Sequence, residues 1–358
     1  MGSVRSSLNE ADRCGLKVVL VMQDLINPMK AIDRKLLMTE GKAKIEPFVK
    51  EAMKHKSLIA YYLVDEPQDK DAYEYAAALK KIFAEIDPTR FSFTAGTWPK
   101  LNIKTMIDNV PMPVAMPESY PVWIRPYKVG IGDFRYQLFT NEWYEWEGSK
   151  TDAYDSRYIK DLADAYDILQ SSIKGRAVLW PLVAAFQQPT NGPWDWRLPT
   201  PEELRCMTGI ALAKGAKGIF FFAYCVLGYV KGDYPTLMPE IENQSKRLRK
   251  LGSILLKCEH VKMNIKISGG GSQVYGAGLA EAFKSPDGSI YLMLVNRNCV
   301  PTSKKDVLTV TMDMPQKIKP FRVYDVENRV PVNSKRLNTD KWQLDTKLDT
   351  GDYILIKL

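Results

Sequence analysis

Two adjacent carboxyls, Asp65 and Glu66, end the apolar and aromatic run Leu58-Ile59-Ala60-Tyr61-Tyr62-Leu63-Val64 and are followed at once by Pro67. Glu118 stands after a second apolar run, Pro113-Val114-Ala115-Met116, and Asp195 stands between Trp194 and Trp196. Carboxyls working in pairs perform general acid–base chemistry, one donating a proton while the other takes one or attacks. A carboxyl at the end of a buried strand suits the acid's part, because desolvation favours its protonated form. Read alone, an Asp-Glu pair is first a cap for a turn and the helix that follows. Other chemistries have less to draw on. His55 and His260 are the only histidines, so a His-based relay or a His-rich metal centre is not expected. Cys14, Cys206, Cys225, Cys258 and Cys299 are odd in number and widely spaced, which fits reduced packing residues rather than a disulfide framework or zinc site. No Gly-rich phosphate loop follows a strand, so neither nucleotide, metal nor other cofactor is expected.

The elements that must position these acids follow from periodicity. Apolar runs rich in β-branched and aromatic residues predict six buried strands, at 16–22, 58–64, 90–95, 113–116, 176–185 and 218–224. Helical patterns separate them, at about 31–54 with an interruption at Gly41, 69–86, 103–109, 155–172 and 200–215, and a last helix covers about 239–256. Thr200-Pro201-Glu202-Glu203 is a capping box with Pro at the first helical position. Strand then helix, repeated, builds a parallel α/β barrel, whose C-terminal strand ends carry the chemistry. Asp65 and Glu66 occupy such an end. Strand alternation would turn them to opposite sides.

After Cys258 the texture changes to alternating strands, with Pro286-Asp287-Gly288 as a hairpin turn. The expected organisation is α/β: a TIM-type barrel over 1–258, then a small all-β sandwich over 259–358. Gly269-Gly270-Gly271 reads as a flexible turn in the linker ahead of those strands. The stretch 124–152 is long, aromatic and without period, which marks a functional loop. Trp98, Trp123, Trp143, Trp146, Trp194 and Trp196 all fall in predicted strand-to-helix loops. Their apolar faces, with Tyr120, Gln187 and Tyr224 at further strand exits, would suit a ligand that stacks on rings.

The formal net charge is +8, but Lys and Arg are dispersed. The densest group, Lys246, Arg247, Arg249 and Lys250, lies in a helical pattern and reads as a solvated face, so no nucleic-acid partner is expected. No apolar run of about 18 residues exists, so no membrane partner is expected. The first ten residues lack the apolar core of a signal peptide, which leaves the compartment open, a secreted or periplasmic parent included.

The ordered set Gly15-Leu16-Lys17-Val18-Val19-Leu20, Ile59 to Pro67, Pro88-Thr89-Arg90, Ser119-Tyr120-Pro121, Pro199 to Leu204 and Gly215-Ala216-Lys217-Gly218-Ile219 resembles the (β/α)8 glycoside hydrolases of the clan A type. It is most similar to the bacterial branch that appends a β-sandwich. The resemblance implies that Glu66 is the general acid/base and that the six strands are the third to the eighth of the barrel. About 15 residues precede the first of them. The first two units are then absent, and the chain is a piece of a longer parent, is closed by a partner copy, or holds strands the pattern does not reveal. The resemblance also implies a nucleophilic Glu after the strand at 176–185, where Phe186-Gln187-Gln188 stands instead.

Glycosidic cleavage needs two carboxyls about 5 Å apart for retention or about 6.5–9.5 Å apart for inversion. Glu66 is one. Glu118, nearer a strand end, ranks above Asp195 as the other. Asp65, Trp98, Tyr120, Trp123, Trp143, Gln187, Trp194, Trp196 and Tyr224 would bind the sugar. Two functions stay open: hydrolysis of an oligo- or polysaccharide, or carbohydrate binding by a barrel without activity.

Overall fold

A computed structural model of the 358-residue chain describes residues 2–67, 69–97, 103–121, 135–137, 143–145, 157–186, 198–222, 234–272, 275–300, 304–313 and 323–358. The fold is mixed α/β with several sheets. Its contacts divide it into two compact units, Met1–Glu118 with Ser171–Leu179, and Ser119–Gln170 with Trp180–Leu358.

In the first unit, β1 (Val18–Val21), β2 (Leu58–Tyr62) and β3 (Phe91–Phe93) form a parallel sheet in that order. A second parallel set joins β4 (Ala95–Thr97) to β5 (Val114–Ser119), which also pairs with Val178–Leu179. All six strand regions expected from the apolar runs contain strands; Val18–Val21 and Leu58–Tyr62 are shorter than their runs, while Val114–Ser119 extends past its own. The strand at 176–185 is split at Trp180-Pro181, where proline cannot donate to a ladder.

The helix expected over 31–54 is broken as well. Arg34–Leu36 leads into a π-turn over Leu37–Gly41 before Lys42–Ala52 resumes α-geometry. Gly41 closes that turn, and a Cβ there would lie 2.6 Å from the Leu37 side chain.

Asp87, fully buried, ties the end of helix Lys70–Ile86 to β2 and β3. Its carboxylate accepts from Tyr61 Oη at 2.8 Å, Thr89 Oγ1 at 2.6 Å and Arg90 Nη1 at 2.8 Å. The same Arg90 donates to Leu58 O at 2.9 Å. Burial pushes the Asp87 pKa up, but hydrogen bonds from Thr89, Tyr61 and Arg90 outweigh it and hold the carboxyl below its ordinary value. A depressed folded pKa contributes stability that is present above the unfolded value, about 3.9, and is lost as pH falls through the folded one. Asp87→Asn is therefore expected to flatten the acid limb of the stability-against-pH curve below about pH 4, measured by urea midpoints across pH. An unchanged acid limb would remove Asp87 from the account.

In the second unit, Leu182–Ala184 and Phe220–Phe222 pair in parallel. Arg135–Gln137 and Trp143–Glu145 form a short antiparallel pair inside the stretch expected to lack period. Thr200 caps helix Pro201–Ala213 with both arms of the predicted box: Glu203 N donates to Thr200 Oγ1 at 3.2 Å and Thr200 N to Glu203 Oε2 at 2.9 Å.

The C-terminal strands form two antiparallel sheets. One runs Glu259–His260, Leu279–Lys284, Ile290–Val295, Tyr353–Lys357, Tyr324–Asp325. The other runs Ile265–Ser268, Asp306–Asp313, Lys341–Leu348, Asn333–Arg336. One apolar cluster draws on both, including Leu292, Leu294 and Ile356 from the first and Leu308, Val310 and Leu344 from the second.

The glycine run is not a flexible turn. Gly269 and Gly270 sit at φ +78° and +60°, and Cβ atoms there would meet Val307 O at 2.0 Å and Leu308 Cγ at 2.6 Å. Close backbone approach in a left-handed conformation is what requires glycine. The supposed solvated face at 246–250 is also corrected at Arg247, which is largely buried and paired with Glu327 at 2.7 Å and Asp352 at 2.6 Å.

Candidate active site

The acidic tip is built in steps from β2. Strand pairing ends at Tyr62, earlier than Pro67, and one further ladder bond follows, Leu63 N to Phe93 O at 3.0 Å. Leu63 and Val64 remain buried, and each such side chain contributes about 1.5–3 kcal/mol by leaving water. That anchors the chain while it turns. Asp65 emerges exposed and Glu66 half-exposed, and Pro67 returns to the interior.

The next helix is capped by another residue. Asp69 is the N-cap of Lys70–Ile86, its side chain accepting from Ala72 N at 2.8 Å. Asp65 and Glu66 are thereby relieved of the cap role that an isolated acidic pair suggests.

Glu66 lies at φ +43°, one of two non-glycine residues with positive φ among those described. Such a conformation costs about 1–3 kcal/mol and persists where the surroundings over-determine it, commonly at functional sites. Strand alternation therefore does not govern how Asp65 and Glu66 are turned relative to each other, because neither belongs to the strand.

Tyr62 is the residue that sequence reasoning passed over. Its hydroxyl donates to Asp65 Oδ1 and accepts from the Ala95 backbone amide. Burial, then the charges of Asp65 and Glu118, push its pKa far above the ordinary tyrosine value. Both carboxylates thus act on one phenol oxygen. The register agrees: Tyr62 pairs with Phe93 at the end of β3, and Thr97 pairs with Glu118 at the end of β5. Glu118 is buried. The structure therefore brings Tyr62, Asp65 and Glu118 together, with Glu66 one residue beyond Asp65. The i to i+3 spacing of Tyr62 and Asp65 was the available signal.

Tyr120 belongs to the second unit. Its ring stacks on Phe222 at 5.6 Å and 23°, and meets Phe186 edge-on at 5.0 Å. Phe186 meets Phe222 edge-on at 5.2 Å. Phe186 and Phe222 are strand-exit aromatics that the tryptophan count overlooked, and Phe222 is 38% exposed. Such rings present an apolar face at the strand ends. Trp98, Trp123, Gln187, Trp194, Asp195, Trp196 and Tyr224 lie outside the described residues, and so does the side chain of Trp143.

Among the described residues, no group of three or more His, Cys, Asp or Glu could hold a metal ion, and no helix is long and apolar enough to cross a membrane. Cys206, Cys258 and Cys299 are buried thiols and Cys14 an exposed one.

No family model and no curated protein matches the chain. Solved structures do. A protein described as a glycoside hydrolase aligns over 89% of this chain and 68% of its own, at 13% identity and TM-score 0.53. A glycoside hydrolase family 5 protein from Bacteroides vulgatus ATCC 8482 aligns over 89% of this chain and 66% of its own, also at 13% identity and TM-score 0.53. This chain therefore spans about two thirds of the length of these structures, and the likeness is one of fold.

Proposed function

We propose that this chain belongs to a carbohydrate-active glycoside hydrolase, with Glu66 as general acid/base and Glu118 as its partner. The observation that carries the reading is the strand-end cluster. Glu66 is held at φ +43° beside Asp65, and Asp65 and Glu118 act on the same Tyr62 hydroxyl. Acids at the C-terminal ends of parallel strands, here β2 and β5, are the arrangement from which barrel enzymes work, and the fold likeness to glycoside hydrolases supports it.

In the reaction, Glu66 protonates the glycosidic oxygen as the bond breaks, and Glu118 attacks the anomeric carbon or activates water, according to the separation of the carboxyls. Asp195 is the remaining candidate for that second role. Asp65, Tyr120, Trp98, Trp123, Trp143, Gln187, Trp194, Trp196 and Tyr224 would line the sugar. The same proposal includes a TIM-type barrel over 1–258 and a β-sandwich over 259–358; the apolar cluster shared by the two C-terminal sheets supports the sandwich.

A second reading is a barrel that binds carbohydrate without cleaving it. One observation favours it: the strand Leu182–Ala184 runs into Ala185 and a buried Phe186, and the sequence continues Gln187-Gln188, with no carboxylate there. Release of reducing sugar or aryl alcohol from a panel of aryl glycosides and oligosaccharides separates the two. Hydrolysis by the wild type, abolished in Glu66→Gln/Glu118→Gln, is expected. Saturable binding with no turnover on any substrate would establish the second reading instead.

A further inference from the structure

Tyr62 has no part in the mechanism above, yet its hydroxyl bonds to Asp65, the neighbour of Glu66, and feels the charge of Glu118. A phenol has one proton to give and lone pairs to receive. Here the proton goes to Asp65 and the oxygen receives the Ala95 amide. The ring is fixed independently, edge-on to Phe93 at 5.7 Å and 78°. The two bonds join three places: the end of β2, the start of β4 and the turn that carries Glu66. β4 in turn pairs with β5, with Thr97 opposite Glu118. Asp65 is exposed, and its bond to Tyr62 tethers it across three residues. The left-handed backbone of Glu66 follows immediately.

We propose that Tyr62 is a positioning residue: its hydroxyl, held between the Ala95 amide and the Asp65 carboxylate, fixes the Asp65–Glu66 turn and so the placement of Glu66 relative to Glu118. The proposal rests on the reading of Glu66 and Glu118 as the working pair. Tyr62 does no proton transfer itself. Burial and two neighbouring negative charges hold the phenol's pKa far above its ordinary value, so the hydroxyl keeps its proton and faces Asp65 as a donor. A misplacement of about 1 Å in a catalytic group costs on the order of 100-fold in rate, which sets the scale of the effect.

Tyr62→Phe removes the hydroxyl and keeps the ring on Phe93. On a substrate the wild type cleaves, kcat is expected to fall about 10- to 100-fold with KM within about twofold, and the pH–rate profile to shift. Asp65→Ala breaks the same bond from the exposed side and is expected to lower kcat similarly. The double variant should be no slower than the worse single, because both remove one clip. Additive losses, or an unchanged pH profile, would overturn the proposal.

A readout independent of turnover uses carboxyl-13C glutamate, with Glu66 and Glu118 assigned from the spectra of Glu66→Gln and Glu118→Gln. Tyr62→Phe should move the titration midpoint of at least one of them by about half a pH unit or more. Unmoved midpoints refute the positioning role even if the enzyme is active. A wild type that hydrolyses nothing refutes the functional reading, and the NMR titration still decides the role of Tyr62.

Discussion

On the proposed reading, Glu66→Gln is expected to lower kcat for glycoside hydrolysis by about 10²–10⁴-fold and to leave sugar affinity within about twofold. The size follows from the role. A glutamine fills the same volume and keeps the hydrogen-bonding oxygen, but has no proton to give to a departing oxygen. Binding made equally in ground and transition states survives, while the transition-state contribution is lost. The loss should shrink on aryl glycosides whose leaving groups depart without protonation, and the basic limb of the pH–rate profile should vanish. Glu118→Gln is expected to produce a loss of the same order on all substrates, because a nucleophile or base is needed whatever the leaving group. Calorimetric titration of both variants with oligosaccharide and initial rates on activated and unactivated substrates provide the check. If Glu66→Gln retained the wild-type rate, the assignment of the acid would fall. If Glu118→Gln retained it while Asp195→Asn did not, the second carboxyl would be Asp195.

How far the sequence reveals this arrangement depends on the range of the forces involved. Strand regions are visible because a strand buried on both faces must be apolar along its length, as in Leu58 to Tyr62. The box at Thr200 and the turn at Pro286-Asp287-Gly288 are visible because their chemistry is local. The turn closes as read, with Ser289 N donating to Asp287 Oδ1 at 2.9 Å and Gly288 at φ +84°. Asn333–Arg336 is invisible because all four residues are exposed, so no alternation marks it. Glu66 is legible as an acid at a strand end, but its left-handed backbone is not, since glutamate has no preference for positive φ. Tyr62 is hidden for the opposite reason: an aromatic residue in an apolar strand reads as packing, and the surroundings of its hydroxyl include Ala95 and Glu118, which only the fold brings near. The four-residue basic group at 246–250 has the composition of a wet surface. The partners of Arg247 lie 80 and 105 residues further on, beyond any periodicity.

Arg247 carries the second large expectation. It projects from helix Tyr234–Leu255 and donates to Glu327 through Nε and Nη2 at 3.0 and 2.7 Å, to Asp352 at 2.6 Å and to Tyr353 O at 2.6 Å. Its guanidinium lies 3.9 Å from the Tyr353 ring centroid. Tyr353 is itself buried and donates to Gln244 Oε1 at 2.5 Å. Arg247→Met preserves most of the stem's packing but strands Glu327, whose side chain is 8% exposed, without its counter-charge. Removing one partner of a buried ion pair costs about 3–5 kcal/mol. Since the penalty lies in the stranded charge, Arg247→Met/Glu327→Leu should recover most of it, because an apolar replacement of a whole buried pair is often neutral. The double-mutant cycle, read from denaturant midpoints followed by far-UV and tryptophan signals, therefore yields a large coupling energy between the two sites. If the two substitutions simply add, the pair is a solvated one after all. Arg247→Met would then behave as the sequence alone suggested, with a cost of about 0–1 kcal/mol.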